Sequence, residues 1–190
     1  MTALRGFVFL GLFSPGPNVI LLTTSGARFG FRATLPHLFG VVVGVGVTAF
    51  VTGLGLGLIL TAIPVLKYAL MGISFVWILW MAWGLWHSEP TRRKGRDRPF
   101  TFVEAVLFQW VNVKVWAVAV AAMAYVADLS PVAQGVRLGL VFSGLNLIVC
   151  LFWTFAGSLL TQLLQNPVAW RIFMRGMAVA LVFFSVLVFR

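Results

Sequence analysis

The sequence predicts an all-α polytopic membrane protein: six transmembrane helices arranged as two inverted three-helix repeats, with the first helix broken at a Pro-Gly-Pro element. Three observations predict it. Of 190 residues, 61% are hydrophobic and only 9% charged, against about 25% charged in soluble domains. The apolar residues fall in long continuous runs, not in the short alternating segments of a barrel. One polar, basic linker divides the chain into halves with three runs each, and an odd number per half requires opposite topology. At about 20 residues per span the chain has room for five or six helices with short loops, and no soluble catalytic domain fits. It reads as a single transporter-like domain over 1–190, with half-repeats at about 1–87 and 101–190 around a linker at about 88–100.

The first span, about 4–25, contains Phe13-Ser14-Pro15-Gly16-Pro17-Asn18. Two prolines and a glycine remove backbone donors and kink or break a helix. A freed carbonyl or amide in hydrocarbon costs several kcal/mol, so such a break persists only where protein or a water-filled cavity covers it. Broken helices build transport sites by aiming half-helix dipoles at the cargo; a kink accommodated by neighbouring helices is the structural alternative. The run reads as a retained span and not a cleaved signal, and leaves little helix before the break.

Ser25-Gly26-Ala27-Arg28-Phe29-Gly30-Phe31-Arg32 reads as a glycine-punctuated basic loop. The second span, about 36–60, carries glycines at 40, 44, 46, 53, 55 and 57 and ends at Ile63-Pro64. Its Gly40-x-x-x-Gly44 spacing suits close helix approach. The third, about 65–86, holds Trp77, Trp80, Trp83 and Trp86, which wind around the helix and suit belt anchoring and lipid contact. The linker follows, with Arg92, Arg93, Lys94, Arg96 and Arg98. The fourth span, about 102–126, exits at Asp128, Ser130 and Pro131; the fifth covers about 135–160; Asn166-Pro167 separates it from the sixth, about 169–189.

Net charge is +10, and the basic residues sit at span ends, which suits topology and anionic lipid headgroups better than nucleic acid. Six spans place Arg28, Arg32, the five linker cations, Arg171 and Arg175 on one side, and Arg5, Lys67, Arg137 and Arg190 on the other. The richer side is cytoplasmic by the positive-inside rule; both termini then face outward.

Lys114 is the charged side chain deepest in a span, about ten residues from either end of the fourth, where burial costs about 2.5–3.5 kcal/mol on insertion scales. It must face protein or water, or give up its proton. It suits cargo or proton handling; an ammonium tied to backbone carbonyls, locking two helices, is the structural alternative. Asn18, Gln109, Asn112 and Asn146 are the other strong polar groups at depth. Phe13 is followed five residues on by Asn18, and Phe108 four residues on by Asn112, so these two asparagines read as counterparts in the two halves. Gln109 and Asn146 suit either the site or a plain interhelical bond. The carboxylates are Glu89, Asp97, Glu104 and Asp128. None lies at mid-membrane, so a carboxylate relay or an acidic cation cage lacks its parts, and Glu104 reads as an interfacial ion pair. Cys150 has no second cysteine for a disulfide or redox pair and reads as packed core. His37 reads as a polar cap near a span end. No metal or cofactor is expected.

Ser14-Pro15-Gly16-Pro17-Asn18, then Ser25-Gly26-Ala27-Arg28-Phe29-Gly30 and the glycine-rich second span, resemble the LysE/RhtB family of amino-acid exporters. Phe108-Gln109-Trp110-Val111-Asn112-Val113-Lys114-Val115-Trp116 resembles that family's Asn-Pro-Lys element. The resemblance covers essentially the whole chain. It implies a bacterial cytoplasmic (inner) membrane protein of six spans that exports amino acids or related small metabolites on the proton gradient, as an oligomer. It places Pro15, Gly16, Pro17, Asn18, Asn112 and Lys114 at motif positions. Val113 stands where the family has proline, so the fourth helix is expected to run straighter past Asn112, leaving the half-sites unlike or the function altered. An inorganic-ion exporter lacks its His, Cys and acidic clusters, a membrane thiol–disulfide enzyme lacks its second cysteine, and a non-transporting scaffold leaves Lys114 and the broken span without purpose.

Overall fold

A computed structural model describes residues 2–14, 16–88, 98–160 and 166–188. Pro15 and the greater part of the basic linker, 89–97, lie outside them. The described chain is helical: α1 (Thr2–Phe13), α2 (Pro17–Phe29), α3 (Phe31–Gly53), α4 (Leu56–Ala62), α5 (Pro64–Trp86), α6 (Phe102–Val111), α7 (Val113–Ala122), α8 (Pro131–Leu159) and α9 (Pro167–Val188), with a short 3₁₀ turn at Met123–Tyr125. Among the described residues α3 and α8 are each long and apolar enough to cross a membrane, and the bent pairs α1–α2 and α6–α7 would each make one span more.

Helix starts follow local chemistry. Proline opens α2, α5, α8 and α9, the position where its missing N–H matters least. Asn166 caps α9, its Oδ1 accepting from the Val168 amide at 2.8 Å. Thr101 and Glu104 form a reciprocal capping box on α6, and Glu104 also pairs with Arg98 at 2.9 Å, the interfacial ion pair expected of it. That carboxylate raises the pKa of the Arg98 guanidinium above its ordinary value.

Two boundaries differ from the sequence reading. Ser25–Phe29 is not loop: α2 runs through it, and the turn is one residue, Gly30, at φ 83°. The motif's small residues are there to be buried, not to bend, since Ser25, Gly26 and Ala27 all lie inside the bundle. The next helix starts at Phe31 and passes through Pro36; a proline this near the start forfeits only an early-turn bond. The glycine-rich second span is itself interrupted at Leu54-Gly55, where Gly55 has φ 103°, and ends before Pro64 as expected.

The core centres on α3 and α8. Each also packs against the bent pair of the opposite half, α3 on α6 and α7, α8 on α1 and α2, while α5 packs on α9. These principal contacts recur when the halves are exchanged, but α2 also packs on α3 while α7 makes no comparable contact with α8. Small residues let backbones meet. A Cβ on Gly26 would collide with the Thr154 carbonyl oxygen, and one on Gly157 with that of Thr23, so α2 and α8 touch twice. On α3, a Cβ at Gly44 would lie 2.6 Å from Gln109 Cγ, and one at Gly40 would meet the Phe102 carbonyl, so the Gly40-x-x-x-Gly44 stripe receives α6. On α5, Trp80, Trp83 and Trp86 are exposed, whereas Trp77 turns inward onto Phe108.

Candidate functional site

The two bends face each other across the bundle. α1 and α2 meet at 56°, and α6 and α7 at 66°. The second bend occurs without proline, which corrects the expectation that Val113 keeps this helix straight. Asn112 is extended (φ −82°, ψ 90°), closing α6 and opening α7. Val113 is thus the first residue of α7, where no intrahelical donor is needed and proline is optional. Local partners satisfy the freed groups: the Trp116 indole Nε1 donates to the Trp110 carbonyl at 3.0 Å, and the Asn112 backbone amide to the Gln109 carbonyl at 3.3 Å.

The bends also fix which residues correspond. Gly16 precedes α2 as Asn112 precedes α7, so Asn18 and Lys114 are each second in a post-bend helix. This replaces the pairing of Asn18 with Asn112. The contacts follow the new register, because each second-position side chain crosses to the pre-bend helix of the other half. Lys114 Nζ donates to the Ser14 carbonyl at 2.6 Å and to Ser14 Oγ at 2.9 Å, placing a cation at the C-terminal, negative end of α1. Ser14 Oγ donates in turn to the Gly11 carbonyl at 2.9 Å. Asn18 Nδ2 donates to Gln109 Oε1 at 2.8 Å, and Gln109 Nε2 returns a bond to Asn18 Oδ1 at 3.1 Å. Gln109 further donates to the Ala105 carbonyl and accepts from Asn112 Nδ2 at 3.4 Å.

Lys114 thus does what its structural alternative described, holding a backbone carbonyl across two helices, and it does so on the wall of a cavity. Gly16, Asn18, Asn112, Lys114 and Asn146 line that cavity. Gly16 leaves space for the lysine, since a Cβ there would lie 2.9 Å from its Cδ and Nζ. Pro17 is buried at the start of α2; Gln109 stands behind Asn18 and outside the lining; Pro15 lies outside the described residues. The space open to a water-sized sphere is about 20 Å³, room for about one water. Asn146 is 2% exposed, and its Nδ2 has no hydrogen-bond partner. A buried amide donor on a mainly apolar cavity costs free energy until a water or another acceptor reaches it.

Sequence reasoning missed Ser14 as the lysine's partner, and Cys150 and Trp153 as cavity lining. The last two carried a signal: they lie four and seven residues after Asn146, on one helix face. His37 is also no surface cap. It is 1% exposed, with Nδ1 3.2 Å from Ser25 Oγ and its ring 5.0 Å from that of Phe100.

A cysteine/O-acetylserine efflux protein of Escherichia coli O1:K1 / APEC is 29% identical over 174 residues, 87% of this chain and 86% of its own length. Proteins so named in Salmonella paratyphi A and Salmonella choleraesuis are 29% and 28% identical over 116 residues, 60% of this chain. The chain spans 59% of the length of these Salmonella relatives. No solved structure gives a significant match. The profile of the LysE type translocators matches residues 9–190, and the chain belongs to that family.

Proposed function

We propose that this chain is a secondary exporter of amino acids or related small metabolites, acting in the cytoplasmic membrane with its cargo site at the two facing bends. The observation that carries the proposal is the cavity between the bends: an ammonium and three amide side chains, one of them Asn146 with its unpartnered donor, share the lining with Val115, Val149, Cys150 and Trp153. A zwitterion with a small side chain fits that division, its carboxylate on Lys114 and Asn146 and its side chain on the apolar wall. Relatives named for cysteine and O-acetylserine efflux favour cargo of that size.

The conformation described is closed, since about 20 Å³ holds a water and not an amino acid. Cargo loading requires Lys114 to exchange the Ser14 carbonyl for the cargo carboxylate, which loosens α1 from α7 as the site fills. Export on the proton gradient follows if the lysine gives up its proton at one stage of that exchange. On this reading the six spans form two inverted repeats, with α3–α4 and α8 as counterparts and α5 paired with α9; the recurrence of the principal contacts between the halves is what favours it.

The test is efflux. Proteoliposomes loaded with a mixed amino-acid pool receive a proton gradient, and mass spectrometry identifies what leaves. Selective efflux, abolished in Lys114→Ala at equal membrane abundance, supports the site. No efflux of any amino acid from folded wild-type protein refutes the amino-acid assignment.

A further inference from the structure

A second, larger cavity lies away from the bends. About 390 Å³ is open to a water-sized sphere there, against about 20 Å³ between the bends. It is formed where the ends of α2 and α5, the start of α6 and the early part of α9 come together. Arg28 in the last turn of α2 and Arg98 just before α6 both line it. Arg28 stacks its guanidinium 5.2 Å from the Phe29 ring centre. Arg98 is held in place by the Glu104 carboxylate and remains 56% exposed.

From these two cations the wall runs inward past Thr24 and Ser25 to mainly apolar groups. Leu21 lies seven residues before Arg28 on α2, about 10 Å along the helix, and Met81 and Met174 face the same space. Its flank is open to the side, because Trp80 and Trp83 line it while 63% and 68% exposed. Trp80 also borders a shallow apolar groove that continues along α5 past Val76 and Ile73. Two guanidiniums at one end of the bundle, an apolar crevice behind them and a lateral opening onto an apolar groove match one class of molecule: a phospholipid with an anionic headgroup. A polar cargo molecule would gain little from such a wall.

We propose that this crevice is a binding site for an anionic phospholipid, with the phosphate between Arg28 and Arg98 and an acyl chain passing Trp80 onto the α5 groove. The inference rests on the chain lying in a bilayer and is independent of what the chain carries.

The experiment uses the full-length protein, delipidated in neutral detergent and titrated with phosphatidylglycerol or phosphatidylcholine of the same acyl chains, with binding counted by native mass spectrometry. Phosphatidylglycerol is expected to bind about tenfold more tightly than phosphatidylcholine. Arg28→Gln should bring the two to the same level, and Arg32→Gln, an exposed cation outside the crevice, should not. Gly84→Phe should also remove the preference, because Gly84 lines the crevice and a side chain there meets nothing on its way in. Melting temperature and elution profile establish that each variant is folded, and Gly84→Leu replaces the bulkier change if that one is not. Equal binding of the two lipids overturns the proposal, as does an Arg32→Gln effect equal to that of Arg28→Gln. Displacement of phosphatidylglycerol by millimolar glycerol 3-phosphate would show an anion site that takes no tail, and also overturns it. So does a dimer that Gly84→Phe dissolves without changing lipid binding.

Discussion

The amide pair between Asn18 and Gln109 gives a prediction whose size follows from its geometry. Two reciprocal bonds of 2.8 and 3.1 Å join α2 to α6, residues 91 apart in sequence. Hydrogen bonds between membrane helices contribute on average about 0.6 kcal/mol each, so the pair should couple by about 1.2 kcal/mol, roughly eightfold in an equilibrium constant. The perturbation is a double-mutant cycle with Asn18→Leu and Gln109→Leu, read by reversible unfolding in mixed micelles. Gln109→Leu strands Asn18 and should lose about 1–2 kcal/mol, and Asn18→Leu less, because Gln109 keeps Ala105 and Asn112, while the double variant should lose about 1.2 kcal/mol less than the singles together. Efflux separates support from site: Asn18 lines the cavity, so transport should stay at least about tenfold below wild type in the double variant even where stability is regained. Coupling under about 0.3 kcal/mol, the additivity limit for independent sites, would refute the view that these amides clamp the two halves. Wild-type transport in the double variant would refute the place of Asn18 in the site.

Val113→Pro should leave efflux within about twofold of wild type, because position 113 already opens a helix and needs no donor; a large gain or loss in the same efflux assay would show that Val113 sets the bend. Gly26→Ala places a Cβ against the Thr154 carbonyl and should destabilise by about 1–3 kcal/mol. Gly72→Ala, where a Cβ meets nothing within 4 Å, should change stability by under about 0.5 kcal/mol, both read by the same unfolding transition. Gly30→Ala puts a side chain at φ 83°, ψ 167°, a region essentially reserved for glycine, and should cost roughly 1–3 kcal/mol, visible as a lower melting temperature.

Hydrophobicity and punctuation carried the helices, because a span must bury its backbone bonds wherever it runs, and the runs ending at Pro64 and Trp86 end there in the structure. Lys114 and Asn112 were legible for the complementary reason: strong polar groups at depth need a purpose. The register between the halves was not. Matching letters paired Asn18 with Asn112, whereas a bend is placed by whatever satisfies its freed carbonyls, and the Trp116 indole that does so for Trp110 is an ordinary tryptophan in the sequence. The same reason hid the bend at Val113. Gln109 was ambiguous until its partner was known, since an amide bonding between helices and an amide building a site look alike along one chain. Ser25–Phe29 misled because small and basic residues mark both loops and tightly packed helix ends.

The paired glycine contacts of α2 with α8 bear on how such a molecule can move. Where Gly26 meets the Thr154 carbonyl and Gly157 meets that of Thr23, main chain rests on main chain and no rotamer is available to absorb a displacement. Sliding by a fraction of a residue is blocked at two points, so these helices travel as one rigid block, while α5 and α9 carry no such pin among their described glycines, Gly72, Gly84 and Gly176. Were the chain to alternate between inward and outward openings, as the proposed export requires, the α5–α9 layer would be the part free to rock against a fixed axle. Spin labels on α2 and α8 should report one unchanging distance throughout the cycle, and labels on α5 and α8 two; a bimodal α2–α8 distance would place the hinge in the seam itself.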